Sequence, residues 1–250
     1  MTTVALIDYG AGNLVSIRQA FESLGVTVKL VRSGAGGGDG EGDRSLGGEL
    51  VGGDDVLRDA DALVVPGVGA AGPAMARLKR RGLVEPIVAW VRTGRPYLGI
   101  CLGLQLLFEG SDEDGSTNLG LLPGRTVLLQ DAPTLPHMGW NQVVREREHP
   151  ALAGLPDGAE FYFVHSYVAQ PSDPAVVVAT TSHGSTFASV VASGALLGVQ
   201  FHPERSGADG LRLLRNFATL AGGGAPRRVA GAGARAHGAS VAGTSVAGVR

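Results

Sequence analysis

Residues 97–108 read Tyr97-Leu98-Gly99-Ile100-Cys101-Leu102-Gly103-Leu104-Gln105-Leu106-Leu107-Phe108. The first four residues predict a buried strand, and Leu102 to Phe108 predicts a helix. Cys101 lies between them, with a glycine two residues away on each side. This is the sulfur form of the G-x-S-x-G nucleophile elbow, a strained strand-to-helix turn that exposes a nucleophile. The motif therefore predicts a reactive side chain at the carboxyl end of a sheet, where α/β proteins bind ligands.

Strand-like and helix-like stretches alternate on both sides of this segment. The predicted strands are Val4–Asp8, Val26–Val31, Ala62–Val65, Thr126–Leu129, Phe161–Tyr167, Val176–Thr180 and a hairpin through Phe187–Gln200 that turns at Ser193-Gly194. The predicted helices are one capped by Asn13 and closed by Gly25, then Ala71–Arg80, Val84–Arg92 and Gly210–Leu220. Continuous apolar strands that alternate with helices indicate a parallel sheet covered on both faces. We expect an α/β protein with a mostly parallel sheet flanked by helices and an antiparallel edge.

Two stretches lack this pattern. Residues 33–54 are rich in glycine and acids, and residues 222–250 are rich in glycine and alanine. Neither can bury enough apolar surface to offset its backbone entropy. We therefore expect one domain over residues 1–221, with a flexible surface insertion at 33–54 and a disordered tail at 222–250.

The composition argues against several classes of protein. The net charge of −2 over 250 residues does not fit a nucleic-acid-binding surface. No apolar run is long enough for a membrane helix, and the chain opens on a strand-like run without the features of a signal peptide. One cysteine allows no intrachain disulfide, which fits a reducing compartment. A cytoplasmic location is expected.

A single free cysteine is most often a buried, inert residue. The elbow around Cys101 instead indicates a nucleophile at the start of a helix, where free amides and the helix dipole favour a thiolate. The residue after a nucleophile commonly supplies an oxyanion-binding amide, here Leu102. A second amide is expected from the glycine-rich turn 66–69, unless that segment is an ordinary turn.

Six histidines are candidate proton partners for the sulfur. His149 in a charged loop and His237 in the tail are expected to face solvent, and His183 falls in a polar turn. His137 and His165 stay open as alternatives. His202 is favoured, because it follows the apolar run 196–201 and precedes Pro203-Glu204.

The spacing of His202 and Glu204 supports this choice. In an extended chain, residues i and i+2 point to the same side. Glu204 is then placed to accept a hydrogen bond from one imidazole nitrogen while the other faces Cys101. The sequence predicts a triad of these three residues.

The chain resembles a known family. Gly99 to Gln105 together with His202-Pro203-Glu204 resembles the triad (class I) glutamine amidotransferases, whose fold is a flavodoxin-like sandwich. Further motifs resemble the glutaminase subunits of imidazole glycerol phosphate synthase: Asp8-Tyr9-Gly10-Ala11-Gly12-Asn13, Pro66-Gly67-Val68-Gly69, Pro136-His137-Met138-Gly139-Trp140-Asn141 and His202-Pro203-Glu204-Arg205-Ser206. The similarity covers about residues 3–32 and 56–221.

The resemblance implies a mechanism that needs no cofactor and no metal. Cys101 attacks the side-chain amide of glutamine, ammonia leaves with a proton from His202, and water releases glutamate. The amide of Val68 is implied as the second oxyanion donor. The implied glutamine-binding residues are Gln105, Glu113, His165, Ser166 and Tyr167.

The resemblance also implies a heterodimer with a (βα)8-barrel cyclase subunit, which receives the ammonia for histidine biosynthesis. Asn13 and Arg205 match positions near that interface, although Arg205 also fits an ordinary surface cation. Trp140 fits an interface anchor or a core aromatic, and the sequence does not separate the two.

The sequence leaves three other functions open. A glutaminase that serves another synthase, such as one of vitamin B6, shares the triad but is expected to lack the Gly139-Trp140-Asn141 run. A free-standing hydrolase of γ-glutamyl compounds is expected to need no partner. A non-catalytic regulatory subunit is disfavoured by the intact triad.

Overall fold

A computed structural model describes residues 1–34 and 53–223. Most of the predicted insertion and all but the first two residues of the predicted tail lie outside these ranges. The helices in chain order are α1 Leu14–Ser23, α2 Gly53–Asp59, α3 Ala71–Arg80, α4 Val84–Arg92, α5 Leu102–Gln105 and α6 Gly207–Gly222. Short 3-10 turns lie at Pro150–Leu152, Pro174–Val176 and Pro203–Arg205.

Strands β1 to β6 are Thr3–Ile7, Thr27–Val31, Ala62–Gly67, Tyr97–Cys101, Gly110–Ser111 and Gly124–Leu128. Strands β7 to β12 are His137–Arg145, Ala159–His165, Tyr167–Pro171, Val177–His183, Ser185–Ser193 and Leu196–Val199. They form one mixed sheet with the main order β2-β1-β3-β4-β12-β11-β10-β7-β8. β2, β1, β3, β4 and β12 are parallel, and the pairs from β12 to β8 are antiparallel.

Side-chain alternation along the buried strands creates two cores, one on each face of the sheet. In β1, Val4 and Leu6 join the core that includes α1 and α6. Ala5 and Ile7 of the same strand join the core that includes α2, α3, α4 and α5. Because successive residues of a strand point to opposite faces, a continuous apolar run is what a sheet covered on both sides requires.

The α/β class, the parallel strands and the antiparallel edge are confirmed. The predicted bounds of α3 and α4 agree with the structure, and Asn13 caps α1 by accepting a hydrogen bond from Ser16 N over 3.3 Å. The helix predicted over Leu102–Phe108 is too long, because α5 ends at Gln105 and the following turn redirects the chain. The last helix begins at Gly207, three residues before the predicted start.

The antiparallel half contains strands that the sequence pattern did not single out, above all β7. In β7 only His137 and Val143 are buried, so the strand lacks a continuous apolar run. Within the described residues no helix is long and apolar enough to span a membrane.

Candidate active site

Cys101 occupies a backbone conformation that ordinary residues avoid. It ends β4 with φ 53° and ψ −108°, and α5 begins at the next residue. A side chain on Gly103 would overlap the carbonyl oxygen of Val65, and one on Gly99 would overlap the carbonyl of Gly103. Both glycines are therefore needed for the tight turn, as the elbow motif predicts. Positive φ at a non-glycine residue is strained and is most often found where function requires it.

Parallel pairing places this turn at the carboxyl ends of three strands. Cys101 lies opposite Gly67 of β3, and Ile100 lies opposite Val199 of β12. The glycine-rich turn 66–69 and the segment that leads to His202 therefore flank the sulfur. Cys101 is 5% exposed.

His202 and Glu204 form a buried pair behind the sulfur. His202 Nδ1 lies 2.9 Å from Glu204 Oε1, and the Glu204 side chain has no exposed surface. The predicted extended geometry is wrong in detail, because residues 203–205 form a 3-10 turn. The turn still brings the carboxylate back to the imidazole. Since Nδ1 faces a carboxylate, it carries the proton.

The charge on His202 is favoured by its neighbours. Burial opposes protonation, but the sulfur of Cys101 and the carboxylate of Glu204, both acceptors for a charged ring, outweigh it and raise the pKa of His202 from 6.5 to about 10. His202 Nε2 is buried and has no hydrogen-bond partner among the described residues, so it is free to receive a proton. The His202 ring can thus be protonated at neutral pH.

A cavity of about 300 Å³ opens in front of Cys101. It is lined by Val68, Gly69, Cys101, Leu102, Gln105, Glu113, Pro136, Val164, His165, Ser166 and Tyr167. The structure therefore brings together every predicted oxyanion and glutamine-binding residue around one space. His202, Glu204, Asn13 and Arg205 do not line it.

Gln105 and Glu113 each present a side-chain oxygen that could accept a hydrogen bond from a ligand. The side-chain amide nitrogen of Gln105 donates to the carbonyl of Tyr167 over 2.8 Å and lies 3.2 Å from Gln200 Oε1. Its side-chain oxygen is the atom left for a ligand. Burial and the neighbouring Asp114 raise the pKa of Glu113. Two oxygen acceptors at this end of the cavity suit an ammonium group.

His165 belongs to a chain of neutral imidazoles. Its Nδ1 donates to the carbonyl of Tyr167 over 3.0 Å, so its Nε2 is the acceptor for His137 Nδ1 at 3.1 Å. His137 Nε2 in turn accepts from Asn141 Nδ2 at 3.1 Å. Burial lowers the pKa of His165 to about 3 and that of His137 to about 4, with further lowering from the neighbouring histidines.

Both ring nitrogens of His165 and of His137 are thus occupied by partners other than sulfur. This argues against either histidine as the proton partner of Cys101 and favours the prediction of His202. The His165 ring is a wall of the cavity, and contact with a ligand polar group falls to the main chain of this segment. His149 is half-buried, with its ring accepting a hydrogen bond from Ala151 N over 3.2 Å, so it is less open to solvent than expected.

An aromatic surface lies beside the cavity. Trp140 is 55% exposed, which excludes the core role, and it meets Tyr162 edge-on at 6.3 Å between ring centroids. The Arg205 guanidinium stacks on Tyr162 at 4.1 Å from the ring centroid. Met138 is 62% exposed on the same strand as Trp140. We call Met138, Trp140, Tyr162 and Arg205 the aromatic surface.

The sequence did not single out Gln200, which is fully buried and donates from Nε2 to Cys101 Sγ over 3.6 Å. Its position two residues before His202, at the end of a buried strand, is the feature of the sequence that could have identified it as a site residue. Among residues 1–34 and 53–223, no group of three or more His, Cys, Asp or Glu side chains is placed to hold a metal ion.

The elbow, the imidazole and the buried carboxylate are the arrangement expected of a cysteine hydrolase with Cys, His and Glu on an α/β sheet. Residues 5–221 match the family model described as glutamine amidotransferase class-I. Among solved structures, a crystal structure described as glutamine amidotransferase aligns with TM-score 0.65 at 21% identity, covering 88% of this chain and 98% of that one. The structure of PurLQS from Thermotoga maritima aligns with TM-score 0.63 at 18% identity, covering 88% and 98%. These two show a shared fold.

Curated relatives are much more similar in sequence. Imidazole glycerol phosphate synthase subunit HisH of Xanthomonas euvesicatoria is 48% identical, covering 87% of this chain and 97% of the relative. The subunit of the same name from Synechococcus is 43% identical, covering 92% and 98%. The chain belongs to the class-I glutamine amidotransferase family and, within it, to the HisH group.

The histidine chain predicts how stability depends on pH. The folded-state pKa values of His137 and His165 lie below the unfolded value of about 6.5, so the unfolded state binds protons first as pH falls. Folding stability should therefore decrease from pH 7 toward pH 4. His137→Phe should shrink the loss between pH 7 and pH 5, while lowering stability at pH 7 by about 1–3 kcal/mol because Asn141 and His165 lose a partner. Urea unfolding at both pH values measures this, and an unchanged pH dependence contradicts it.

Proposed function

We propose that this protein is the glutaminase subunit of imidazole glycerol phosphate synthase. It hydrolyses glutamine to glutamate and ammonia and passes the ammonia to a cyclase subunit in histidine biosynthesis. The names of the relatives at 43–48% identity support the assignment. The observation that carries it is the position of Cys101, which faces a cavity of about 300 Å³ with the His202–Glu204 pair buried behind it.

In the first half of the reaction, the Cys101 thiolate attacks the side-chain amide carbon of glutamine. The C=O π electrons move to oxygen and give a tetrahedral oxyanion. When this collapses, the C–N bond breaks, and the His202 imidazolium gives its proton to the departing nitrogen. Ammonia leaves, and a thioester joins Cys101 to the glutamyl group. Glu204 stabilises the imidazolium throughout, because its carboxylate contacts Nδ1.

In the second half, water attacks the thioester carbon while neutral His202 takes the water proton. The C–S bond breaks, glutamate leaves, and the thiolate and imidazolium are restored. Oxyanion stabilisation in both halves is assigned to the main-chain amides of Val68 and Leu102, two residues that line the cavity together with Cys101.

The cavity wall suits the amino-acid end of glutamine. Gln105 Oε1 and the Glu113 carboxylate are acceptors for the α-ammonium group. The segment His165-Ser166-Tyr167 supplies main-chain contacts, since the ring nitrogens of His165 are already bonded. When the side-chain amide carbon of glutamine lies at Cys101, the charged amino-acid end of glutamine lies at the other end of the cavity.

We assign the aromatic surface to the partner, a (βα)8-barrel cyclase. Val164 lies two residues after Tyr162 on β8 and also lines the cavity, so the surface continues into the reaction space. Arg205 directly follows Glu204 in the chain. A subunit docked here covers the point of ammonia release and limits its escape to water. Asn13, whose exposed side chain caps α1, stays a proposed contact at the edge of this interface.

Glutamate release should depend on the partner. We expect weak turnover of the chain alone and strong stimulation by the barrel cyclase with its nucleotide ligand. Cys101→Ala should bind the partner normally and lose glutaminase activity by roughly a thousandfold or more. Equal rates with and without the cyclase would favour a free-standing hydrolase, and near-normal turnover of Cys101→Ala would remove the sulfur from its role.

Glu204→Gln should change the pH profile. Glu204 is one of the groups that raise the pKa of His202 to about 10, so a neutral amide lowers that pKa. The imidazolium needed by the leaving ammonia is then lost at lower pH. We expect the alkaline limb of kcat to move down by about one pH unit or more and kcat at pH 7 to fall roughly a hundredfold or more. Glu160→Gln, an exposed carboxylate on β8, is the control. A profile unchanged from wild type would refute the role of Glu204.

Trp140→Ala should weaken the complex. A large exposed aromatic at the centre of an interface commonly contributes about 2–4 kcal/mol, which corresponds to a Kd increase of roughly 30-fold or more. Val144→Ala on the same strand, also exposed, should have little effect. Isothermal titration calorimetry with the cyclase measures both, and equal affinities of the two variants would place the interface elsewhere.

A further inference from the structure

Gln200 is the side chain that contacts the reacting sulfur from within the core. It has no exposed surface, and its Nε2 lies 3.6 Å from Cys101 Sγ. Its Oε1 lies 3.2 Å from Gln105 Nε2. The triad mechanism does not use this amide, yet a buried amide has two possible orientations, and only one of them offers a donor to sulfur.

The orientation is fixed by a main-chain carbonyl. The carbonyl oxygen of Tyr167 can only accept, so the Gln105 atom 2.8 Å away must be the NH2 group. A second amide nitrogen facing that NH2 would set two donors against each other. The Gln200 atom that meets Gln105 must therefore be oxygen, and the NH2 group of Gln200 faces Cys101.

The same carbonyl is held from the other side by the histidine chain. Tyr167 O accepts from His165 Nδ1 at 3.0 Å, and His165 accepts from His137. The chain ends where Asn141 Nδ2 donates to the carbonyl of Ser182 over 3.0 Å. Two main-chain acceptors thus anchor the two ends, and every donor between them has one consistent assignment.

We infer that Gln200 is a further catalytic residue of the glutaminase reaction, with its Nε2–H donating to Cys101 Sγ and stabilising the thiolate. The catalytic role of Gln200 rests on the proposed glutaminase function. The contact between Gln200 and the sulfur rests on the geometry alone. As a thiol, Cys101 has the carbonyl of Val164 as its acceptor at 3.9 Å. When the S–H bond breaks, the proton passes to His202 Nε2 and the electron pair stays on sulfur.

The sulfur is then an acceptor only, and the Gln200 amide is a donor already pointed at it. Hydrogen bonds to an ionised partner are roughly twice as strong as neutral ones, so the contact favours thiolate over thiol. It also restrains the sulfur in the position from which it attacks. Gln105 acts through Gln200 as a positioning residue, in addition to its proposed role toward the ligand.

The test measures the thiolate directly, by the rate of iodoacetamide alkylation of Cys101 between pH 5 and pH 9. Gln200→Met keeps the approximate size and removes the donor, and we expect roughly tenfold slower alkylation at pH 7, with the profile displaced to higher pH. Gln200→Glu keeps the shape and puts a carboxylate against the sulfur, so it should react more slowly still. Gln130→Met, an exposed amide that donates to the carbonyl of Leu128, is the matched control and should match wild type.

Turnover in the complex with the cyclase supplies a second readout. Both Gln200 variants should lower kcat, with KM for glutamine changed much less. Alkylation needs neither glutamine nor partner, so the contact is tested even where the proposed function fails. If either variant folds and shows the wild-type alkylation profile, the inference is overturned. It is also overturned if the alkylation rates follow the thermal stabilities of the proteins and do not decrease in the order wild type, Gln200→Met, Gln200→Glu.

A measurement on the unaltered protein covers the case in which neither variant folds. In chain labelled with 15N-glutamine, the side-chain amide protons of Gln200 should shift with pH in step with the alkylation rate. Amide resonances that all stay constant while alkylation rises would overturn the inference.

Discussion

The left-handed backbone at Cys101 is the constraint on which the site depends. Gly99 and Gly103 make it possible, because a side chain on either would clash with the backbone of the turn or with Val65 of β3. The turn aims the sulfur away from the sheet and toward the carboxyl ends of β3 and β12. Those two strands then supply the glycine-rich turn on one side and the His202 segment on the other. The parallel sheet thereby sets the spacing of the Cys101 sulfur, the His202 imidazole and the glycine-rich turn.

Much of this could be predicted from sequence because its determinants are local. The elbow, the apolar strands and the His202–Glu204 spacing each lie within a few residues. The histidine chain could not be predicted, because His137 and His165 meet only through the antiparallel register of β7 and β8. Trp140 likewise needed the structure, since only packing separates an exposed aromatic from a core one. The 3-10 turn at Glu204 escaped the strand pattern because Pro203 begins a new local geometry.

Three histidines near the cavity show how neighbours govern one residue type. Beside Glu204 and the sulfur, the pKa of His202 rises to about 10 despite burial. His137 and His165 have only neutral or cationic neighbours, so burial prevails and their pKa values fall to about 4 and 3. One histidine is thus available to carry a proton at neutral pH, and the other two serve as fixed donors and acceptors. The division follows from the partners of each ring: a carboxylate for His202, a main-chain carbonyl for His165, and neutral side chains for His137.

The two main-chain carbonyls that end the polar chain have a consequence for how this protein can change over evolution. A carbonyl is common to all twenty amino acids, so no substitution converts the oxygen of Tyr167 or of Ser182 into a donor. The direction of every hydrogen bond between them is inherited from the backbone. A replacement that turns one member from donor to acceptor leaves its neighbour facing a like group. We therefore expect the residues of this hydrogen-bonded chain to be substituted together during evolution, because a change at one of them alone is disfavoured.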